Sequence, residues 1–339
     1  GSPRLPSFVL PVRWAPVALC IGRWLALLLA GPPTSTGMIL PPRWAGCLAA
    51  GSLTRTCLTG DIALIRPVLQ DDAFLHDVQS VANDDGRLHM WWLGQSGYLV
   101  QSRGRYLLID PYLSDSLTAK YAATGKPHVR MTERVIAPGR LDFIDVVTSS
   151  HNHTDHLDSD TVVPLLDANR DLTVIVPGAN RDFAANRFGV TPGRLTAVDA
   201  GESVDVAGFT FHAVPAAHEA LDTDDEGRHH YLGYVIEAGG VTIYHSGDTL
   251  RYDGMAERLR AWDIDIAILP INGRDPRRGV AGTLSGPQAV RLGRDIGADI
   301  VVPCHYEMFE FNTVPPDEFI ACAERAGQGH RVLQAGERM

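Results

Sequence analysis

Positions 151 to 156 read His151, Asn152, His153, Thr154, Asp155, His156, which puts three imidazoles and a carboxylate in six residues. They follow an apolar, β-branched run, Ile144 to Thr148, and a turn of two serines, Ser149 and Ser150. A loop that leaves a buried strand this rich in nitrogen and oxygen donors gathers them at one end of a sheet, where hard or borderline divalent cations bind. A solvated loop that is rich in histidine by accident has no reason to sit at a strand end.

The apolar runs around this loop set the fold class. Leu88 to Leu93, Tyr98 to Gln101 and Arg105 to Asp110 read as a meander of short strands, with Ile144 to Thr148 next. Helices are expected over Ser159 to Ala168, despite Pro164, and over Asn180 to Phe188, closed by Gly189, with the strand Leu172 to Val176 between them. The plan then repeats. Strands at Leu195 to Val198, Ser203 to Val206 and Phe209 to Val214 precede a hairpin, Tyr231 to Glu237 and Val241 to His245, whose Gly239-Gly240 pair is a two-residue turn signal. Helices near Met255 to Ala261 and Gly286 to Ile296 feed strands at Ile264 to Leu269 and Asp299 to Val302. A last helix spans Pro316 to Ala326, and a short strand, Arg331 to Leu333, closes the chain. Two meanders, each followed by alternating helix and strand, make an α/β fold of two facing sheets with helices outside, a four-layer α/β/β/α sandwich.

Charge narrows the partners. The first sixty residues hold five arginines and no acid, so the −10 of the 339-residue chain becomes −15 over residues 61–339. An acidic body argues against nucleic acid, whose phosphates need clustered Lys and Arg, and favours small-molecule chemistry. Residues 1–60 are treated as a leader apart from a hydrolase domain over 61–339, with its core at about 88–336. Their apolar run, Val17 to Ala30, is broken by Arg23 and falls short of the roughly 20 residues of a membrane span. It reads as a signal-peptide core behind Arg4 and Arg13, or as a stretch ahead of a natural start at Met38 or later. A membrane partner is expected only if this leader is a genuine anchor. Cys304 and Cys322, the two cysteines of the body, suit a reducing cytoplasm.

Further donors stand just past later strands: His218 in A-V-P-A-A-H, Asp248 in Y-H-S-G-D-T and His305 in V-V-P-C-H-Y. The ordered set H-x-H-x-D-H, His, G-D-T, His resembles the metallo-β-lactamase superfamily over about residues 88 to 336. Within that span Met90 to Gly97, Ile109 to Ser114, Tyr244 to Asp248 and Val301 to Tyr306 are most similar to the branch that contains ascorbate 6-phosphate lactonase. The resemblance implies two divalent metal ions. His151, His153 and His218 would be terminal ligands of one, Asp155, His156 and His305 of the other, and Asp248 the bridging carboxylate. All donors are nitrogen or oxygen, which admits Zn, Mn or Fe. It also implies a bridging hydroxide as nucleophile, with Asp155 helping to orient it.

Asp110, in I-D-P-Y, is by the same resemblance an acceptor that orients a ligand imidazole, the other reading being an Asx-Pro turn. His212 and His245, inside apolar strands, are expected in the core. The insert Glu219 to His230 reads as a mobile acidic cap over the cleft, with His230 a candidate substrate contact. Asn272, Arg274, Arg277 and Arg278 follow a strand that should end on the same rim. The three arginines read either as an anion clamp or as a solvated loop. Tyr306 and Asn312 are candidate hydrogen-bond partners of the scissile group, and Cys304 a core thiol. His76, His89, His128 and His330 carry no motif and are read as surface.

A metal-dependent hydrolase follows, with a lactone of an anionic sugar acid as first choice and a small anionic substrate as partner, alone or in a homo-oligomer. The alternative is a phosphodiesterase, including a lipid phosphodiesterase similar to N-acyl-phosphatidylethanolamine phospholipase D. A flavodiiron-type protein would carry a glutamate where His153 stands, and a nuclease of the superfamily a basic face. Cytoplasmic location is expected, with export or anchoring if the leader is real.

Overall fold

The computed structural model describes residues 64–339, so the leader expected over 1–60 lies outside the described residues. Two six-stranded sheets carry the molecule. The first holds β1 (Leu88–Gly94), β2 (Gly97–Ser102), β3 (Arg105–Ile109), β4 (Val146–Thr148), β5 (Thr173–Pro177) and β6 (Thr196–Val198) in that order. The second runs from β7 (Ser203–Val206) through β8 (Phe209–Pro215), β9 (Leu232–Ala238), β10 (Val241–His245) and β11 (Ile266–Pro270) to β12 (Ile300–Cys304). Each sheet starts as an antiparallel meander and ends in parallel strands: β3 to β6 in the first, β10 to β12 in the second.

Inner faces of both sheets, including Val100, Leu107, Ile109 and Ile175 from one and Phe211, Ile236, Ile243 and Ile268 from the other, share one apolar core. Helices cover the outside. Of α1 (Asp71–Ser80), α2 (Ser116–Tyr121), α3 (Ser159–Ala168), α4 (Arg181–Phe188), α5 (Met255–Leu259), α6 (Gly286–Ile296) and α7 (Asp317–Ala326), α4 packs on β5 and α6 on β11 and β12. This is the four-layer α/β/β/α sandwich. Helix α6 starts with a capping box, Ser285 paired with Gln288, and ends at the left-handed Gly297, so its ends are satisfied by residues the sequence supplies locally. The β9 and β10 hairpin turns through Gly239 and Gly240, both at positive φ (61° and 91°), as a type I′ turn requires.

Two expectations fail. Residues Arg331 to Leu333 form no strand; His330 makes only an isolated bridge to Val301. His212 is not in the core, since its side chain is 26% exposed and faces Glu237 at 3.2 Å. On β8 every second side chain points outward, and the apolar neighbours of His212 belong to the other face. The sequence reading also missed α1, which buries only Phe74 and Val78, one turn apart, too few apolar positions to show a helical period.

Among the described residues no helix is long and apolar enough to cross a membrane.

Candidate metal centre

Strand direction explains why distant donors meet. Because β3 and β4 are parallel, Asp110 and the 151–156 loop leave at the same edge. In the second sheet β8 and β10 both run antiparallel to β9, so they run the same way as each other and as β11 and β12. His218, Asp248 and His305 therefore also follow carboxyl ends, where ligands of open α/β sheets bind. The structure brings all seven residues together. Donor atoms of His151, His153 and His218 lie within 4.8 Å of one another, as do those of Asp155, His156 and His305, and those of His151, His156 and Asp248.

Asp248 links the groups, with Oδ2 at 3.5 Å from His156 Nε2, 3.7 Å from His218 Nε2 and 3.2 Å from His305 Nε2. The approach requires Gly247, at φ 58°, where a Cβ would meet the Leu232 carbonyl oxygen at 2.8 Å and the Ser150 Cβ at 2.7 Å.

The rings are oriented from behind. His156 Nδ1 donates to Asp110 Oδ2 at 2.7 Å, His218 Nδ1 to the Gly282 carbonyl at 3.0 Å, and His151 Nδ1 to Ser150 Oγ at 3.0 Å. Ser150 Oγ in turn donates a hydrogen bond to Asp110 Oδ2. A hydrogen on Nδ1 leaves the Nε2 lone pair for a cation. Asp110 also accepts from the Ser150 backbone N–H at 2.9 Å, so it is both a turn residue and the acceptor behind His156, and the two readings of it merge.

The donor set fits divalent cations. His151 Nε2, His156 Nε2 and Asp248 Oδ1 are buried without a hydrogen-bond partner, an expense that native interiors otherwise avoid. Burial pushes His151 well below the usual histidine range and His153 down to about 4, so both rings are neutral near pH 7, the form that ligates. Burial pushes Asp248 and Asp155 up, but the facing His305 and His156 outweigh it and hold both carboxylates below their ordinary values. Burial lowers His156 and His305, yet Asp248 and Asp155 prevail and raise both.

Gln95 escaped the sequence reading. Its side-chain amide donates to Asp155 Oδ2 at 2.7 Å and sits 3.0 Å from His305 Nε2, and its backbone carbonyl accepts from the His305 N–H at 2.9 Å. Gln95, Asp110 and His305 are non-glycine residues at positive φ (52°, 41° and 64°), strain that clusters at functional sites. The signal for Gln95 was its place in a tight Gly94 to Gly97 turn between two strands.

The cleft above these residues has a volume of about 440 Å³, within the range of small-molecule sites. Asn272 and Asn312 line it; Arg274, Arg277, Arg278, His230 and Tyr306 do not. Arg277 is 90% exposed and turns back onto Asp275 at 2.8 Å, and Arg274 pairs with Glu219. Arg278 donates to the Asn272 carbonyl at 2.6 Å. Asp275 caps the 3-10 turn Pro276–Arg278 and holds the loop folded on itself, so the arginines supply no clamp. Tyr306 is buried, stacks on Trp92 at 4.5 Å and donates its hydroxyl to the Leu333 carbonyl. His230 is held by Asn180 at 3.1 Å. The insert 219–230 is pinned by the Asp224 to Arg228 pair and a Thr223 to His229 bridge and contributes nothing to the cleft lining. His245 and Cys304 are buried as expected, but so is His89, which pairs with Asp84 at 3.0 Å. His128, read as surface, lines the cleft.

A double sheet with histidines and carboxylates at its carboxyl edge defines the metal-dependent hydrolases of the metallo-β-lactamase fold. A sequence profile for the Beta-lactamase superfamily domain matches residues 105–306, and the chain belongs to that family. It is 26% identical over 252 residues to a UPF0173 metal-dependent hydrolase of Metallosphaera sedula, covering 73% of this chain and 96% of that one. It is likewise 26% identical over 262 residues to a probable L-ascorbate-6-phosphate lactonase, UlaG, of Escherichia coli O127:H6, covering 69% of this chain and 73% of that protein. The metallo-β-lactamase fold protein YhfI of Bacillus subtilis superposes with a TM-score of 0.53 at 18% identity, covering 74% of this chain and 98% of YhfI. The protein is accordingly a metal-dependent hydrolase of this superfamily.

Proposed function

We propose that the protein opens a lactone, with His151, His153 and His218 holding one divalent ion, Asp155, His156 and His305 a second, and Asp248 shared between them. The observation that carries this is the reach of Asp248 Oδ2 to rings of both triads, at 3.2 to 3.7 Å. Zn, Mn and Fe suit the all nitrogen-and-oxygen donors. Such a pair of ions supplies an activated water and polarises the bond under attack.

The protein's own groups do the rest. Asp155 faces the cleft with its Oδ2 fixed by Gln95, which leaves Oδ1 to orient the attacking water and take its proton. Asp110 and Ser150 hold His156 and His151 in the Nδ1-protonated form. Lys120 lines the rim and makes no ion pair among the described residues, so it is a group available to an anionic substituent. Similarity to a probable L-ascorbate-6-phosphate lactonase supports a lactone rather than another ester.

Elemental analysis of purified protein, with rates on a lactone panel and on bis-p-nitrophenyl phosphate, tests the reading. Lactone turnover with about two metal equivalents is expected, and both should fall together in His151→Ala. Preference for the phosphodiester would replace lactonase with phosphodiesterase; active protein without metal would end the proposal.

A further inference from the structure

The cleft has two unlike sets of lining residues. Besides the imidazoles and carboxylates it is lined by a cluster of aromatic rings: Tyr121 stacks on His128 with centroids 4.1 Å apart, Phe311 meets His128 edge-on at 4.4 Å, and Phe309 does so at 5.2 Å. These rings rest on a small apolar cluster of Tyr112, Leu117, Met308 and Phe309, separate from the main core. At the mouth Phe183 and Val280 stay 45% and 36% exposed, although both line the cleft. Apolar side chains left in water around a concave site mark a place where something apolar docks.

Asn272 and Arg187, two of the polar residues that line the cleft, are already engaged. The Asn272 amide donates to Asn312 Oδ1 at 3.0 Å, and its own carbonyl accepts from Thr283. Arg187 donates to the Asn152 and Leu157 carbonyls at 2.9 and 2.8 Å and lies over the Phe183 ring at 4.5 Å. A polyhydroxylated ring placed here would surrender water without regaining its hydrogen bonds. A flat apolar group gains both by leaving water and by stacking.

We propose that Tyr121, His128, Phe309 and Phe311, with Phe183 and Val280 at the mouth, form a specificity subsite for an apolar substituent, an aryl or short alkyl group carried on the ester that is cleaved. This deepens the hydrolase reading and rests on it. The substrate is then an amphipathic lactone with its scissile carbonyl over the metal residues, and not a sugar lactone.

The test compares kcat/KM of the metal-loaded full chain on phenyl-substituted, alkyl-substituted and polyhydroxylated lactones of one ring size. Phenyl and alkyl lactones should exceed the polyhydroxylated one by at least about tenfold, the scale on which apolar pockets discriminate. In Phe311→Ala and in the more exposed Phe183→Ala that ratio should fall towards unity, with metal content unchanged. A preference for the polyhydroxylated lactone, or a ratio that survives both substitutions, would overturn the proposal. Calorimetric binding of a phenyl-substituted lactam, which is not turned over, separates the two readings. Saturable binding lost in Phe311→Ala supports the subsite even if no lactone is hydrolysed, and absence of binding beside good turnover removes the subsite alone.

Discussion

Asp110 controls more of the site than its single motif suggests. It closes β3 in a left-handed conformation, accepts from the Ser150 backbone and hydroxyl, and takes the His156 Nδ1 proton at 2.7 Å. Asp110→Asn keeps the shape but exchanges an acceptor for a donor, which favours the wrong His156 tautomer. We expect metal affinity to fall by about 10 to 100-fold, the usual loss when a partner behind a ligand histidine is removed, read by chelator competition against unchanged circular dichroism. Equal affinity in both proteins would show that His156 is oriented by packing alone. At this scale the candidate ligands were legible because each sits in a short motif directly after an apolar run. Tyr306 was misplaced because it was named only for flanking His305, whereas its ring packs on Trp92 and its hydroxyl is taken up by the Leu333 carbonyl.

Elements account for the next set of outcomes. Seven donors share one edge because the strands before them run the same way, and strand runs with their turns could be read from period and turn chemistry. The arginine loop could not. Position after β11 brought it near the rim, but a cap by Asp275 and ion pairs to Asp275 and Glu219 turned its charges outward. Arg277→Ala should therefore leave kcat and KM within about twofold of the parent, since exposed pairs contribute little. Lys120→Ala, on α2, should raise KM for an anionic lactone several-fold without changing kcat. The reverse pattern in a steady-state comparison would restore the arginine clamp.

The whole molecule joins two similar halves, and the candidate metal centre draws four residues from the first and three from the second. Cations that bind there hold both sheets' carboxyl edges and relieve three buried unpaired donor atoms. A ligand at 100 times its dissociation constant adds about 2.7 kcal/mol to stability. Chelation should thus lower the melting temperature by several degrees, reversibly on adding Zn or Mn; an unchanged Tm in metal-free protein would mean that the halves do not depend on the ions. The sequence by itself determined the sandwich, the carboxyl-edge donors and the metal-dependent chemistry, because each follows from a local pattern of period, turn and donor type. Only the tertiary structure decided which groups face the substrate. Lys120, His128 and Phe311 come from segments that carry no motif, Gln95 from one whose motif assigns it no role, and their convergence depends on how distant loops pack, a property that no window of sequence contains.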